Sequence, residues 1–293
     1  NAVAVSPDGK LAATASKDKT VKVWELATGR ELDTLAGPTD TPLAVALLGA
    51  DRVAVGGLAS TGASGQLHFW KGTPARLTTS VTAGEVYFLA ALPDGSKLAA
   101  WTGQVVQGQV KKASNYKVLD AAGKELSSVS DKVLGVRAVA FAADLSLAAA
   151  GDKTGTVRLW DLAEKKQVGG DWPLCAAEVA DLGLTPDKAL IVAADEKGQV
   201  KVADVAKRAV LAAVAAHPAG VRALVVSPTG DSFVTIGADR EVKAWPLAAT
   251  LTELKPSRTW AMPVGVLAAA YAPDGRSVVT ANADGTAFVL AMP

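Results

Sequence analysis

Proton transfer, nucleophilic attack and metal binding each need particular side chains close together, and this chain carries few of them. It has two histidines, His68 and His217, and one cysteine, Cys175. A zinc site needs three or four His, Cys or carboxylate ligands at short spacings, and no such spacing occurs. A cysteine nucleophile needs a base to activate it. No spare histidine is evident for Cys175, so a buried structural thiol is expected there. Neither a G-x-S-x-G elbow nor a phosphate-binding glycine loop is present. Asp8, Asp94, Asp187 and Asp274 recur, but each sits next to a proline in a tight turn. Turn chemistry accounts for them without calcium. The expectation is therefore no catalytic residue, no metal and no cofactor: a chain that is not an enzyme.

The same turns show which elements carry these residues. Ser6-Pro7-Asp8-Gly9, Leu92-Pro93-Asp94-Gly95, Thr185-Pro186-Asp187-Lys188, Ser227-Pro228-Thr229-Gly230 and Ala272-Pro273-Asp274-Gly275 share one pattern. Proline presets φ at the first turn position, and glycine tolerates a left-handed conformation. Short apolar runs flank each turn, as in Arg222-Ala223-Leu224-Val225-Val226 and Ser232-Phe233-Val234-Thr235-Ile236, and such pairs read as hairpins. Aligning the run before each turn places repeat starts near Pro42, Val86, Val136, Val179, Val221 and Val266, in steps of 44, 50, 43, 42 and 45 residues. The first repeat begins at the chain start.

A period of about 40–45 residues built from short strands indicates a propeller. A helical solenoid does not fit, because the runs are short, rich in Val and Thr, and split by Gly and Pro. Four strands are expected per repeat, at 2–5, 11–16, 20–25 and 31–35 in the first. Alanine and valine dominate the first strand of every repeat, which suits an innermost strand where side-chain space is limited. The fold class is thus all-β: a seven-bladed β-propeller with four-stranded antiparallel blades over 1–41, 42–85, 86–135, 136–178, 179–220, 221–265 and 266–293. The last repeat ends after its third strand. The missing outer strand is expected from upstream of Asn1, which makes this a single domain within a longer protein.

Composition narrows the partners. The 293 residues carry 30 Lys plus Arg against 29 Asp plus Glu, a net charge of +1. No global field draws nucleic acid or an anionic membrane. No apolar run reaches the ~18–20 residues of a membrane span, and no signal peptide is visible. One cysteine cannot form an intrachain disulfide, which fits the cytoplasm and is compatible with the periplasm.

Thr20-Val21-Lys22-Val23-Trp24-Glu25-Leu26 and Thr156-Val157-Arg158-Leu159-Trp160-Asp161-Leu162 resemble the third-strand ending of WD40 repeats, and Trp70 and Trp245 occupy the same place. The resemblance covers the whole chain and is most specific in repeats one, four and six. It implies a His, Ser/Thr, Asp, Trp tetrad in each well-formed blade. Repeat six matches it with His217, Thr235, Asp239 and Trp245. Repeat one keeps Thr14, Asp18 and Trp24. Repeat seven keeps Thr280 and Asp284, with Met262 and Leu290 in the other places. Repeat five has Cys175, Ala193, Lys197 and Ala203. Gly37-Pro38 stands where repeat two would have Gly-His. Blade six is expected among the most rigid.

The resemblance also implies that function sits on the top face and channel rim. Residues beside the start of the inner strand are the candidates: Glu85, Tyr87, Arg137, Glu178 and Arg222, with Lys17, Lys153 and Glu196 in turns nearby. Tyrosine and arginine are favoured at interface centres. Insertions at 57–65 and 103–115, the latter with Lys111 and Lys112, offer adjacent loops on a rigid scaffold. Trp101 and Trp172 are expected in the core, and Trp260 is the candidate aromatic contact. The expected function is a monomeric, non-catalytic scaffold for one or more proteins. The alternatives are a regulatory or anchoring domain of a larger multidomain protein, or a small-ligand or carbohydrate binder at the channel mouth.

Overall fold

The structure, a computed structural model, describes residues 1–36, 41–58, 65–72, 75–103, 114–131, 135–248 and 250–293. Their regular structure is all β, in seven antiparallel sheets, each formed by strands consecutive in sequence. Blade one contains β1 (Ala2–Val5), β2 (Leu11–Ala15), β3 (Thr20–Glu25) and β4 (Arg30–Ala36). Blade two contains β5 (Thr41–Leu47), β6 (Arg52–Leu58), β7 (Gln66–Lys71) and β8 (Arg76–Thr82). Blade three contains β9 (Glu85–Ala91), β10 (Lys97–Gly103), β11 (Ser114–Asp120) and β12 (Glu125–Asp131). Blade four contains β13 (Val136–Phe141), β14 (Leu147–Asp152), β15 (Thr156–Asp161) and β16 (Lys166–Pro173). Blade five contains β17 (Val179–Leu184), β18 (Leu190–Asp195), β19 (Gln199–Asp204) and β20 (Ala209–Ala215). Blade six contains β21 (Val221–Val226), β22 (Ser232–Gly237), β23 (Glu241–Pro246) and β24 (Arg258–Ala261). Blade seven has three strands, β25 (Val266–Tyr271), β26 (Ser277–Asn282) and β27 (Ala287–Ala291). The architecture is that of a seven-bladed β-propeller with three strands described in its last blade.

The chain divides into two compact units, Asn1–Leu134 with blades one to three and Gly135–Pro293 with blades four to seven. Within the first unit, β1, β5 and β9 pack successively; within the second, β13, β17, β21 and β25 do. The first strand of each blade is therefore the inner one, and its small residues follow from that. Each apolar core lies between two successive sheets rather than inside one. Leu159, Trp172 and Leu174 of blade four meet Leu182 and Ile191 of blade five. Val202 and Leu190 of blade five meet Phe233 and Trp245 of blade six. Both faces of a sheet are thus covered, and alternation disappears: all six residues of β18 are buried.

The recurring turn has a common cause. In blade one, Ser6 Oγ donates to Asp8 at 2.6 Å, and Asp8 accepts the Lys10 amide. Thr185 and Asp187 repeat this in blade five, where Asp187 accepts the Ala189 amide. Each aspartate closes its own turn. Trp172 is buried in the core of blades four and five. Trp101 is half-buried, against the expected full burial, because it lies in contact with Tyr87, ring centroids 5.1 Å apart, and donates to Ser114 Oγ.

Candidate functional site

Blade six closes a four-residue hydrogen-bond chain. Trp245 Nε1 lies 2.9 Å from Thr235 Oγ1, which lies 2.8 Å from His217 Nε2. His217 Nδ1 lies 3.0 Å from Asp239 Oδ2. An indole only donates, so Thr235 accepts from Trp245 and its hydroxyl proton goes to His217 Nε2. The imidazole proton is then on Nδ1 and is donated to Asp239. Burial lowers the His217 pKa, opposed by the Asp239 carboxylate. The ring is therefore neutral, as the chain requires.

Two glycines make room for His217, one at its backbone and one at its ring. A Cβ on Gly198 would lie 1.7 Å from the His217 carbonyl, so the turn of blade five must be bare where His217 rests on it. A Cβ on Gly237 would lie 2.2 Å from His217 Nδ1. Any side chain at that place excludes the imidazole. In blades four, five and seven the equivalent residue, paired with the first inner-strand valine, is Asp152, Asp195 or Asn282. These blades have no histidine, and a different network fills the space. Asp152 is buried and pairs with Arg158 at 2.9 Å. Asp195 accepts the Lys197 and Gln199 amides. Asn282 accepts from Thr280 and donates to Thr286, which donates to Asp284. Blade one retains the Trp24 to Thr14 bond at 2.9 Å, while Asp18 accepts from Thr20 instead. The tetrad is a structural device in one blade with substitutes in others.

The interaction candidates share a different feature. In blades two to seven the pairing of the first two strands skips one residue, the one that follows Pro42, Val86, Val136, Val179, Val221 or Val266. The skipped residues are Leu43, Tyr87, Arg137, Ala180, Arg222 and Leu267. A β-bulge leaves its extra residue unpaired in the ladder and re-aims its side chain. Tyr87, Arg137 and Arg222 were expected beside the inner-strand start, and the bulge is what sets them there. Leu43, Ala180 and Leu267 are their counterparts, missed because they lack chemistry of their own. A bulge costs one residue of register and has no compositional signature.

The bulged residues differ in how they are engaged. Tyr87 donates its hydroxyl to Glu85, and burial followed by the Glu85 charge raises its pKa, so it stays protonated. Arg137 pairs with Glu178 of the next blade at 3.0 Å. Arg222 is exposed and has no ion-pair partner among the described residues. Lys153 and Glu196 are exposed, and their amides bond the carbonyls of Gly135 and Glu178, which places them beside the bulges. Lys17 is exposed in the corresponding turn of blade one. Lys111 and Lys112 lie outside the described residues, as do residues 59–64 and 104–113 of the two insertions.

Trp260, the candidate aromatic contact, is set by the outer strand of blade six. It is half-buried, opposite Val242, packed on the core of blades six and seven, with the Arg258 guanidinium 5.0 Å from its ring centre. Its place on an outer strand turns the ring inward. Cys175 is buried, and desolvation pushes its thiol pKa up to about 11, the opposite of an activated nucleophile. His217, Asp239 and Glu241 bring three potential metal-ligand atoms within 4.8 Å. That cluster is already satisfied: Nδ1 carries the proton given to Asp239, and Glu241 pairs with Lys243 at 2.9 Å.

One ionisable group escaped the sequence reading. Asp181, on inner strand β17, accepts the Leu182 amide at 2.9 Å and the Leu224 amide of the next blade at 2.7 Å. It is half-buried. Desolvation raises its pKa to about 7 against these two amide donors. The blade-to-blade bond cannot be read from a run of six residues whose other members are Val, Ala, Leu and Gly.

No described helix is long and apolar enough to cross a membrane. The family described as WD domain, G-beta repeat matches residues 1–25, 123–161 and 209–246. The first match spans β1–β3, the second β12–β15 and the third β20–β23. The two internal matches thus begin on the outer strand of the blade before. The search of curated proteins found no match.

Proposed function

We propose that this chain, which matches the WD40 repeat family at three places and forms seven like sheets, is a non-catalytic scaffold that meets protein partners through its inner-strand bulges. Propellers of this family commonly hold other proteins. The observation that carries the reading is the bulge repeated in six blades, which presents one re-aimed side chain per blade beside the turns that hold Lys153 and Glu196. A rigid sheet edge with a half-buried Tyr87 and exposed Arg137 and Arg222 suits recognition, because the anchors need little ordering on binding. Catalysis lacks a comparable constellation: His217 is committed to its tetrad, and Cys175 is held as the thiol.

The test is capture of partners by the full-length protein from its native host, followed by cross-linking mass spectrometry. Tyr87→Ala and Arg222→Ala should each weaken capture by ~1–2 kcal/mol, the scale of an interface anchor. Undiminished capture by both variants would reject the bulges as the binding surface. Cross-links confined to other parts of the same polypeptide would favour a regulatory or anchoring module of a larger protein.

A further inference from the structure

Two arginines occupy the same bulge position in the second unit, and only one is neutralised. Arg137 follows Val136 and pairs with Glu178, the residue just before Val179 of the next blade. One can repeat this step from blade six to blade seven. Arg222 follows Val221, and the residue just before Val266 is Gly265. Where blade five supplies a carboxylate, blade seven supplies none. The Arg222 Nη1 lies 3.9 Å from where a Cβ on Gly265 would stand. The guanidinium is thus turned to the side on which Arg137 finds its acid. It is exposed, and the bulge residues on either side, Ala180 and Leu267, are apolar and half-buried.

From this we infer that Arg222 is a carboxylate-receiving subsite for an acidic side chain of a partner polypeptide, with Leu267 taking an apolar neighbour of that side chain. The inference rests on the bulges being the interaction surface. The Arg137–Glu178 pair is the chain's own example of the contact a partner would make. Guanidinium and carboxylate match in a two-pronged, charge-assisted geometry. A single cation between apolar residues suits one carboxylate. A polyanion such as nucleic acid needs a row of cations, whereas the bulge residues flanking Arg222 are Ala180 and Leu267.

The experiment follows the Arg Nε–H resonances of the labelled protein during titration with two peptides, acetyl-Leu-Glu-Leu-amide and acetyl-Leu-Gln-Leu-amide. The Arg222 resonance is expected to shift saturably with the glutamate peptide and not with the glutamine peptide. Gly265→Glu gives Arg222 an internal partner. It should weaken the glutamate peptide about ten-fold, the value of a charged hydrogen bond. Space allows this change, since the nearest atoms to the new Cβ are 3.8 and 3.9 Å away. Glu178→Gln should release Arg137, whose resonance then responds as well. An Arg222 resonance that ignores both peptides, follows both equally, or responds more strongly to an eight-residue oligothymidylate overturns the inference. Partner capture separates the two levels. If Gly265→Glu captures as the wild type does while Tyr87→Ala fails, this subsite falls and the bulge surface stands. If neither variant changes capture, the surface reading falls, and the peptide titration still decides the chemistry of Arg222.

Discussion

Thr235 Oγ1 accepts from one buried group and donates to another, so its loss strands Trp245 and His217 together. Thr235→Val keeps the shape and removes the hydroxyl; it should cost ~2–4 kcal/mol in urea unfolding, the penalty of two unsatisfied buried groups. Thr14→Val in blade one should cost less, about 1 kcal/mol, because Thr14 and Trp24 are half-buried and water can replace the lost bond. Two groups should give opposite pH slopes. Burial lowers the His217 pKa below 6.5, so the unfolded chain binds the proton more readily. That contribution is complete above pH 6.5 and is lost as pH falls below it. Asp181 is raised from 3.8 to about 7, so the folded state holds the proton more tightly. Its contribution is complete below pH 3.8 and is lost as pH rises towards 7. The urea midpoint of Asp181→Asn, taken relative to wild type, should therefore be higher at pH 8 than at pH 5, whatever the cost of replacing one acceptor oxygen by an NH2 group. A difference between the two proteins that does not change with pH would show that Asp181 does not titrate in this window. The tetrad of blade six was legible because four residue types stand at set distances from a turn. Asp181 was not, because its partner is an amide of another blade.

At the scale of the strand, legibility followed local chemistry. Turns closed by their own Asp or Thr repeat in sequence as they repeat in space, so the first blade's four strands lie within one residue of their expected ends. The bulges, which leave one inner-strand residue unpaired in six blades, arise from pairing between strands and leave no mark in either strand alone. The substitutes for the missing histidines are intermediate. Asp152, Asp195 and Asn282 stand at one place in the repeat, and a side chain there is incompatible with an imidazole. That rule needs the geometry at Gly237 before it can be read. Strand β27 tests the strand-level picture directly. It pairs with β26 and has no outer neighbour among the described residues, whereas β23 lies between β22 and β24. Alternate amides of β27 should exchange with deuterium within the time that β23 remains protected. Equal protection of both strands would mean that another segment covers the edge.

Over the whole molecule, stability is distributed across interfaces between sheets, and no single centre holds it. The one cysteine of the chain lies in the interface of blades four and five. Its thiol is buried, with a pKa of about 11, so a thiol reagent can reach it only when that interface opens. Labelling at neutral pH should be far slower than for a free thiol and should accelerate with urea in step with unfolding of the second unit. Labelling at the free-thiol rate in native buffer would show that the interface is loose.

The offset between matched repeats and sheets bears on how such a chain can grow. A repeat running from β12 to β15, or from β20 to β23, carries the last strand of one sheet and the first three of the next. The unit that the family pattern matches is therefore not the unit of folding. A tandem duplication of such a segment would hand its leading strand to the sheet before it and receive a closing strand from the segment after it. Every internal sheet would still hold four strands, each joined to its neighbours by continuous chain. Inheritance in this register lets the number of blades change by whole steps without leaving a broken sheet at the join.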